Sequence, residues 1–194
     1  MIKAIIFDWG GVLIDNPRKG LLSYCAGHLG ISKKLFEDIY QKYEIPFDKG
    51  KISEDELWNK ICNDLGIQKP TVASLWEDAV RHVFRPKKGM FELAKSLHNH
   101  GYKVGFLSNT ELPAMKYFLE QKYDIFDVVV FSCKEGTVKP EKKIYEIALR
   151  RLRVRPHEAV FIDDKPENVT GAKMLGLECI LFNNQYQMKK ELSA

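Results

Sequence analysis

The 194-residue chain is short of several features that would fix its class. It has four cysteines, Cys25, Cys62, Cys133 and Cys179. They are widely spread with no CxxC pair, which excludes a thiolate zinc site and a disulfide framework and predicts reduced, buried thiols. No apolar run reaches the length of a membrane span. Charge of one sign is nearly balanced: the formal net charge is +4, and the lysine pairs Lys33-Lys34, Lys87-Lys88 and Lys142-Lys143 are dispersed. This is a solvated surface, not a nucleic-acid footprint, and the expectation is neither a nucleic-acid nor a membrane partner. Low-complexity segments and internal repeats are missing. The five histidines, His28, His82, His98, His100 and His157, show no ligand spacing and read as structural or surface residues. Acidic Asp8 interrupts the first apolar run early, so the N-terminal stretch does not read as a signal peptide, and the expected compartment is the cytoplasm.

What remains is an ordinary globular composition, 45% hydrophobic and 29% charged. Three apolar, β-branched or aromatic runs end abruptly in polar groups: Ala4–Asp8, Val104–Asn109 and Ala159–Asp164. Asp127–Phe131 and Glu178–Phe182 are further candidates. Such runs read as strands buried on both faces. Between them lie helical stretches at Met90–His100, Glu111–Lys122, Lys142–Arg151 and Asn168–Leu175. The alternation predicts an α/β fold, a Rossmann-like, mostly parallel sheet flanked by helices. In such sheets functional groups collect beyond the carboxyl ends of the strands, where Asp8, Ser108 and Asp163 fall.

Residues 16–88 break the alternation. Leu21–Leu29, Lys34–Tyr43, Glu54–Leu65 and Val72–Val83 are amphipathic helical patterns, with Ser53 and Glu56 forming a capping-box signature for the third. The block reads as an inserted α-helical cap, with the catalytic core in residues 1–15 and 89–194. Its aromatics Tyr24, Trp58 and Trp76 read as core in preference to a ligand platform. The polar stretch Gln185–Ala194 reads as peripheral.

Taken singly, the polar elements have plain alternatives: a turn aspartate at 8, a helix-capping serine at 108, a surface lysine before a helix-starting proline at 139. The adjacent carboxylates Asp163 and Asp164 resist such a reading, because they repel each other unless a cation is near. In order, FDWGGV with Asp8, LSNT with Ser108, VKP with Lys139 and IDD with Asp163 and Asp164 resemble the four-motif signature of the haloacid-dehalogenase-like hydrolases. The stretches GKISEDELW, LSNT and FIDDKPENVTGAKMLG resemble its sugar-phosphate (glucose-1-phosphate) phosphatase-like branch. The resemblance implies a Mg²⁺-dependent phosphatase acting on a small phosphorylated metabolite, as a monomer or homodimer. It implies Asp8 as the nucleophile that forms an aspartyl phosphate. It implies metal ligation by Asp8, the backbone carbonyl of Gly10 and Asp163. Ser108, Asn109 and Lys139 would bind the phosphoryl group, with Ser108 and Lys139 also catalytic, and Asp164 would act through water or Lys139.

One position departs from the pattern. Most phosphatases of the superfamily carry an aspartate two residues after the nucleophile, as leaving-group acid and later as base; here that position is Gly10. Three alternatives follow: a haloacid dehalogenase, a phosphonate hydrolase drawing a Schiff-base lysine from Lys19, Lys33, Lys49, Lys51 or Lys60, or a catalytically impaired binding module. Within the phosphatase reading, a missing acid favours leaving groups that need little proton help, hence hexose 1-phosphates.

Overall fold

The computed structural model describes residues 1–191. Five strands, β1 (Ala4–Phe7), β2 (Lys103–Ser108), β3 (Val128–Phe131), β4 (Ala159–Asp163) and β5 (Glu178–Leu181), form one sheet in the order β3-β2-β1-β4-β5. Every pairing is parallel, so the sheet is fully parallel where a mostly parallel one was expected. β1, β2 and β4 are buried almost throughout, whereas the edge strand β5 is half-buried to exposed, as the polar ends of its sequence require. The chain runs from β1 to β2 on one side and later crosses to β4 on the other. The crevice between β1 and β4 is therefore the topological switch point of the sheet, where such folds bind ligands.

Residues alternate between the two faces, as the pleat dictates. On one face Ala4, Ile6, Leu107, Val130, Ala159 and Phe161 pack against α9 (Lys142–Leu152) and α10 (Pro166–Met174). On the other, Ile5, Phe7, Val104, Phe106, Val160 and Ile162 pack against α6 (Lys88–Asn99) and α7 (Leu112–Glu120). Five helices precede α6 between β1 and β2: α1 (Arg18–His28), α2 (Lys33–Tyr40), α3 (Glu44–Asp48), α4 (Glu54–Leu65) and α5 (Leu75–Val83). Their apolar faces join this second core without a break. The capping box of α4 forms, with the Glu56 amide donating to Ser53 Oγ and the Ser53 amide donating to the Glu56 carboxylate. Trp58 and Trp76 are buried, and Tyr24 is half-buried against His28 and His82. All five histidines are exposed.

Some expectations need correction. The pattern Lys34–Tyr43 is helical only as far as Tyr40, because the chain turns at Gln41–Tyr43, and a separate helix, α3, follows. The pattern Val72–Val83 starts helically only at Leu75, where Ser74 caps the helix by accepting from the Glu77 amide. A single-turn helix, α8 (Ser132–Glu135), follows β3, and the polar stretch at the C-terminus holds α11 (Gln185–Glu191). α11 is anchored by Met188, which is fully buried, while residues 192–194 lie outside the described residues. Of the four free cysteines, Cys25 and Cys62 are buried and Cys133 and Cys179 are half-buried.

The site-bearing end of the sheet rests on an aromatic cluster. Phe106 meets Trp9, Phe118, Phe126 and Phe131 at ring separations of 4.3–5.7 Å. Truncation of a ring packed on so many sides leaves a cavity that neighbouring rings cannot fill. Phe106→Ala should therefore destabilise the protein by about 3–5 kcal/mol, read from urea denaturation; a loss under about 1 kcal/mol would mean that the cluster repacks.

Candidate active site at the ends of β1, β2 and β4

The loop after β1 is shaped by two glycines and a tryptophan. Trp9 is buried edge-on against Phe84 and Phe118, and its carbonyl accepts from the amides of Leu13 and Ile14, which folds residues 9–14 into a compact turn. Gly11 has φ +89°, a conformation that side-chain-bearing residues rarely adopt. A Cβ there would stand 2.0 Å from Asp164 Oδ2, so glycine at this position also admits the Asp164 carboxylate to the site.

The buried centre is Lys139. Its ammonium lies 2.6 Å from Asp8 and 2.7 Å from Asp163, and it also donates to the Leu107 carbonyl at 3.2 Å. Its position is held from β2: the Asn109 carboxamide accepts from the Lys139 amide at 2.8 Å and donates to the Lys139 carbonyl at 3.0 Å. Asn109, expected to bind substrate, lines the cavity, and its side chain holds the Lys139 backbone. Asp163 is oriented by the Lys165 amide and by the carboxamide of Asn168, which reaches both its oxygens at 3.0 Å. Ser108 is buried at the end of β2 and accepts from the Thr110 hydroxyl at 2.6 Å. Of the predicted residues, the structure places Asp8, Gly10, Ser108, Asn109 and Lys139 around one cavity, with Asp163 and Asp164 beside Asp8.

Negative charge exceeds positive charge here. Carboxylate oxygens of Asp8, Asp163 and Asp164 lie within 4.8 Å of one another, and the one buried ammonium among them, Lys139, bridges Asp8 and Asp163. Burial and the neighbouring Asp163 raise the pKa of Asp8 to about 7, against the opposing pull of Lys139. Burial and Asp163 likewise raise Asp164. Burial alone would depress Lys139, but Asp163 and Asp8 outweigh it and hold its pKa up. Asp164 Oδ1 is buried with no hydrogen-bond partner among the described residues. Clustered hard oxygen donors, excess charge and an orphaned carboxylate oxygen are what a small divalent cation requires.

The sequence model of the haloacid dehalogenase-like hydrolases matches residues 2–176. The chain belongs to this family. Among curated relatives, this HAD-like hydrolase is 28% identical to a sesquiterpene phosphatase of Aspergillus oryzae, over 90% of the chain and 87% of the relative. It is 28% identical to the D-ribitol-5-phosphate phosphatase of Bacteroides thetaiotaomicron, over 100% and 98%. It also matches longer proteins, of one of which it spans 19%. A HAD-family enzyme of Bacteroides thetaiotaomicron, solved in complex with magnesium and inorganic phosphate, shares the fold with a TM-score of 0.77 at 23% identity, covering 97% of this chain and 99% of that one.

Sequence reasoning missed the cavity's outer wall. Arg18, Tyr40, Glu44, Asp48 and Trp76 from the helical insert, with Glu111 and Lys165 from the core, line the same space as Asp8. The signal was weak, since of these residues only Lys165 stands in a motif stretch. The lysines on the cavity wall are Lys139 and Lys165, not those the phosphonate alternative draws on.

A carboxyl whose pKa is raised by folding stabilises the folded state when protonated. That contribution is complete below the unfolded value, 3.8 for Asp8, and fades as pH rises through about 7. In the presence of chelator, Asp8→Asn should therefore flatten the fall in thermal stability between about pH 4 and pH 7 and melt above wild type at pH 8. Parallel melting curves for the two proteins across that range would show that Asp8 carries no such penalty.

Proposed function

We propose that this HAD-like hydrolase is a Mg²⁺-dependent phosphatase that cleaves a small phosphate monoester through an aspartyl phosphate on Asp8. The buried bridge of Lys139 between Asp8 and Asp163, with the unpaired Asp164 oxygen alongside, carries the reading. Asp8, Asp163 and the backbone carbonyl of Gly10 would hold the cation, and Asp164 would contact it through water. Bound there, Mg²⁺ supplies the positive charge that lets a carboxylate and a phosphoryl dianion approach. Lys139 neutralises phosphoryl oxygens while fixing the directions of the two carboxylates. Ser108 Oγ offers a hydroxyl to a further phosphoryl oxygen. Asp8 attacks phosphorus in line with the leaving oxygen, the phosphorus–oxygen ester bond breaks, and the leaving oxygen takes a proton. Water then attacks phosphorus and releases Asp8 and inorganic phosphate.

The named phosphatases among the relatives support a phosphorylated small molecule, and the cavity narrows its chemistry. Glu44, Asp48 and Glu111 line the same cavity and can hydrogen-bond hydroxyls, which fits a sugar or polyol phosphate. A hexose 1-phosphate is the specific candidate that the motif resemblance suggests. Wild type should release phosphate from members of a sugar- and polyol-phosphate panel with Mg²⁺ and not with chelator, and Asp8→Asn, nearly isosteric but a poor nucleophile, should lose turnover by at least about 10³-fold. Full activity in chelator would remove the metal from the scheme; near-normal turnover of Asp8→Asn would remove the covalent step.

We further infer that residues 16–88 are a cap that closes over a core of residues 1–15 and 89–194. The two connecting segments run side by side, with the Asp15 amide bonded to the Arg85 carbonyl at 3.0 Å and the Lys87 amide to the Leu13 carbonyl at 2.9 Å. A paired crossing of this kind is a suitable hinge, and closure would exclude water from the phosphoryl group. Beryllium fluoride with Mg²⁺ should slow amide hydrogen exchange in α3 and α5; unchanged exchange there would count against a moving cap.

A further inference from the structure

Gly10 leaves the phosphatase scheme without its usual proton donor, and the structure shows that the space is not simply open. A Cβ on residue 10 would meet the Pro17 ring at 3.2 Å, so a side chain at this position would need Pro17 to give by a few tenths of an ångström. The cavity's carboxyl groups outside the Asp8 cluster are Glu44 and Asp48 from α3 and Glu111 at the start of α7.

Asp48 is tied to the phosphoryl-binding side of the site. Its carbonyl accepts from Ser132 Oγ at 2.6 Å; the same Oγ accepts from the Thr110 amide at 2.8 Å, and the Thr110 hydroxyl donates to Ser108 Oγ at 2.6 Å. Beyond Asp48, Lys49 bonds to Glu141. Gly50, at φ +64°, passes so close to the Cys133 carbonyl that a Cβ would stand 2.3 Å from its oxygen. The end of α3 is therefore docked on the core, and the Asp48 carboxyl is held at the cavity wall. The Glu111 carboxyl lines the same cavity. Trp76 lines it as well, and its buried indole N–H closes no hydrogen bond among the described residues.

We propose that Asp48, with Glu111 beside it on the cavity wall, is the acid and base of the reaction, supplied from the helical insert in place of a side chain at Gly10. The inference rests on the phosphatase reading above. As the bond from phosphorus to the leaving oxygen breaks, the Asp48 proton passes to that oxygen, which departs as a neutral alcohol, and the pair gains one negative charge. When water attacks phosphorus, one of its protons returns to the pair as the Asp8–phosphorus bond breaks, and both groups are restored. The charges around Asp48 favour its protonated form. Burial, Glu111 and Glu44 all raise its pKa, and Lys165 alone opposes them. Burial also raises Glu111 and Tyr40. One proton shared between two half-buried carboxyls is the favourable state of such a pair. With this donor in place, the enzyme need not be confined to acidified leaving groups such as the anomeric oxygen.

Two substrates of similar shape test the assignment: 4-nitrophenyl phosphate, whose leaving group needs no proton, and benzyl phosphate, whose leaving group does. With saturating Mg²⁺, Asp48→Asn should lower kcat/KM for benzyl phosphate by about 10²-fold or more and that for 4-nitrophenyl phosphate by less than about threefold. In Glu111→Gln, the alkaline limb of the benzyl phosphate pH profile should move to lower pH, because the anion that holds the Asp48 proton is gone; a purely structural role would leave that limb in place. Equal losses on both substrates, or an unmoved limb in Glu111→Gln, would overturn the role of Asp48 while leaving the phosphatase reading intact. If wild type released neither leaving group with Mg²⁺, the phosphatase reading would fall first and this one with it.

Discussion

A single buried ammonium holds the site together. Lys139 sits between Asp8 at the end of β1 and Asp163 at the end of β4, two strands that are neighbours in the sheet. Without it, two carboxylates would share a water-poor crevice; removing the cation from such a buried set costs about 3–5 kcal/mol. The surrounding sequence reads as a series of devices for keeping this ammonium in place. Asn109 clamps the Lys139 backbone on both sides, the Leu107 carbonyl takes a third bond, and Asn168 holds Asp163 from the first turns of α10. The dependence runs both ways, since Asp8 and Asp163 keep Lys139 charged where burial would discharge it.

That arrangement is still short of positive charge. Asp8 is driven toward neutrality and Asp164 keeps a buried oxygen without a partner. A stable protein would not ordinarily accumulate three carboxylates around one lysine, and the strain makes sense as preparation for a cation and a phosphoryl group, each of which relieves part of it. The cost is carried elsewhere, by the continuous aromatic and aliphatic core that runs from the sheet into the insert.

The insert contributes more than cover. Its α3 is one of the shortest helices of the chain, yet it is fastened to α8 and delivers Glu44 and Asp48 to the cavity. The core thus presents the groups suited to phosphorus, and the insert presents groups suited to the organic part of a substrate. Division of labour of this kind lets one phosphoryl-handling core serve many leaving groups, because the residues that meet each part lie on separate stretches of chain.

The five strands and their order along the chain were legible in the sequence because strands buried on both faces leave unbroken apolar runs, and the end of each run marked Asp8, Ser108 and Asp163 without any tertiary information. The long helices followed from their 3.6-residue period, whereas α3, α8 and α11 were not legible: one or two turns carry too few apolar positions to establish a period, and Met188 looks peripheral until its cavity is seen. The motif resemblance pointed to the chemistry around Asp8, but not to the use of Asn109, whose amide could as well meet a ligand as a backbone. Only the tertiary structure decided which distant residues face Asp8. Asp48 and Glu111 lie 63 positions apart and belong to no shared local pattern; they meet because α3 docks beside the β2–α7 connection, a packing outcome that local sequence does not encode.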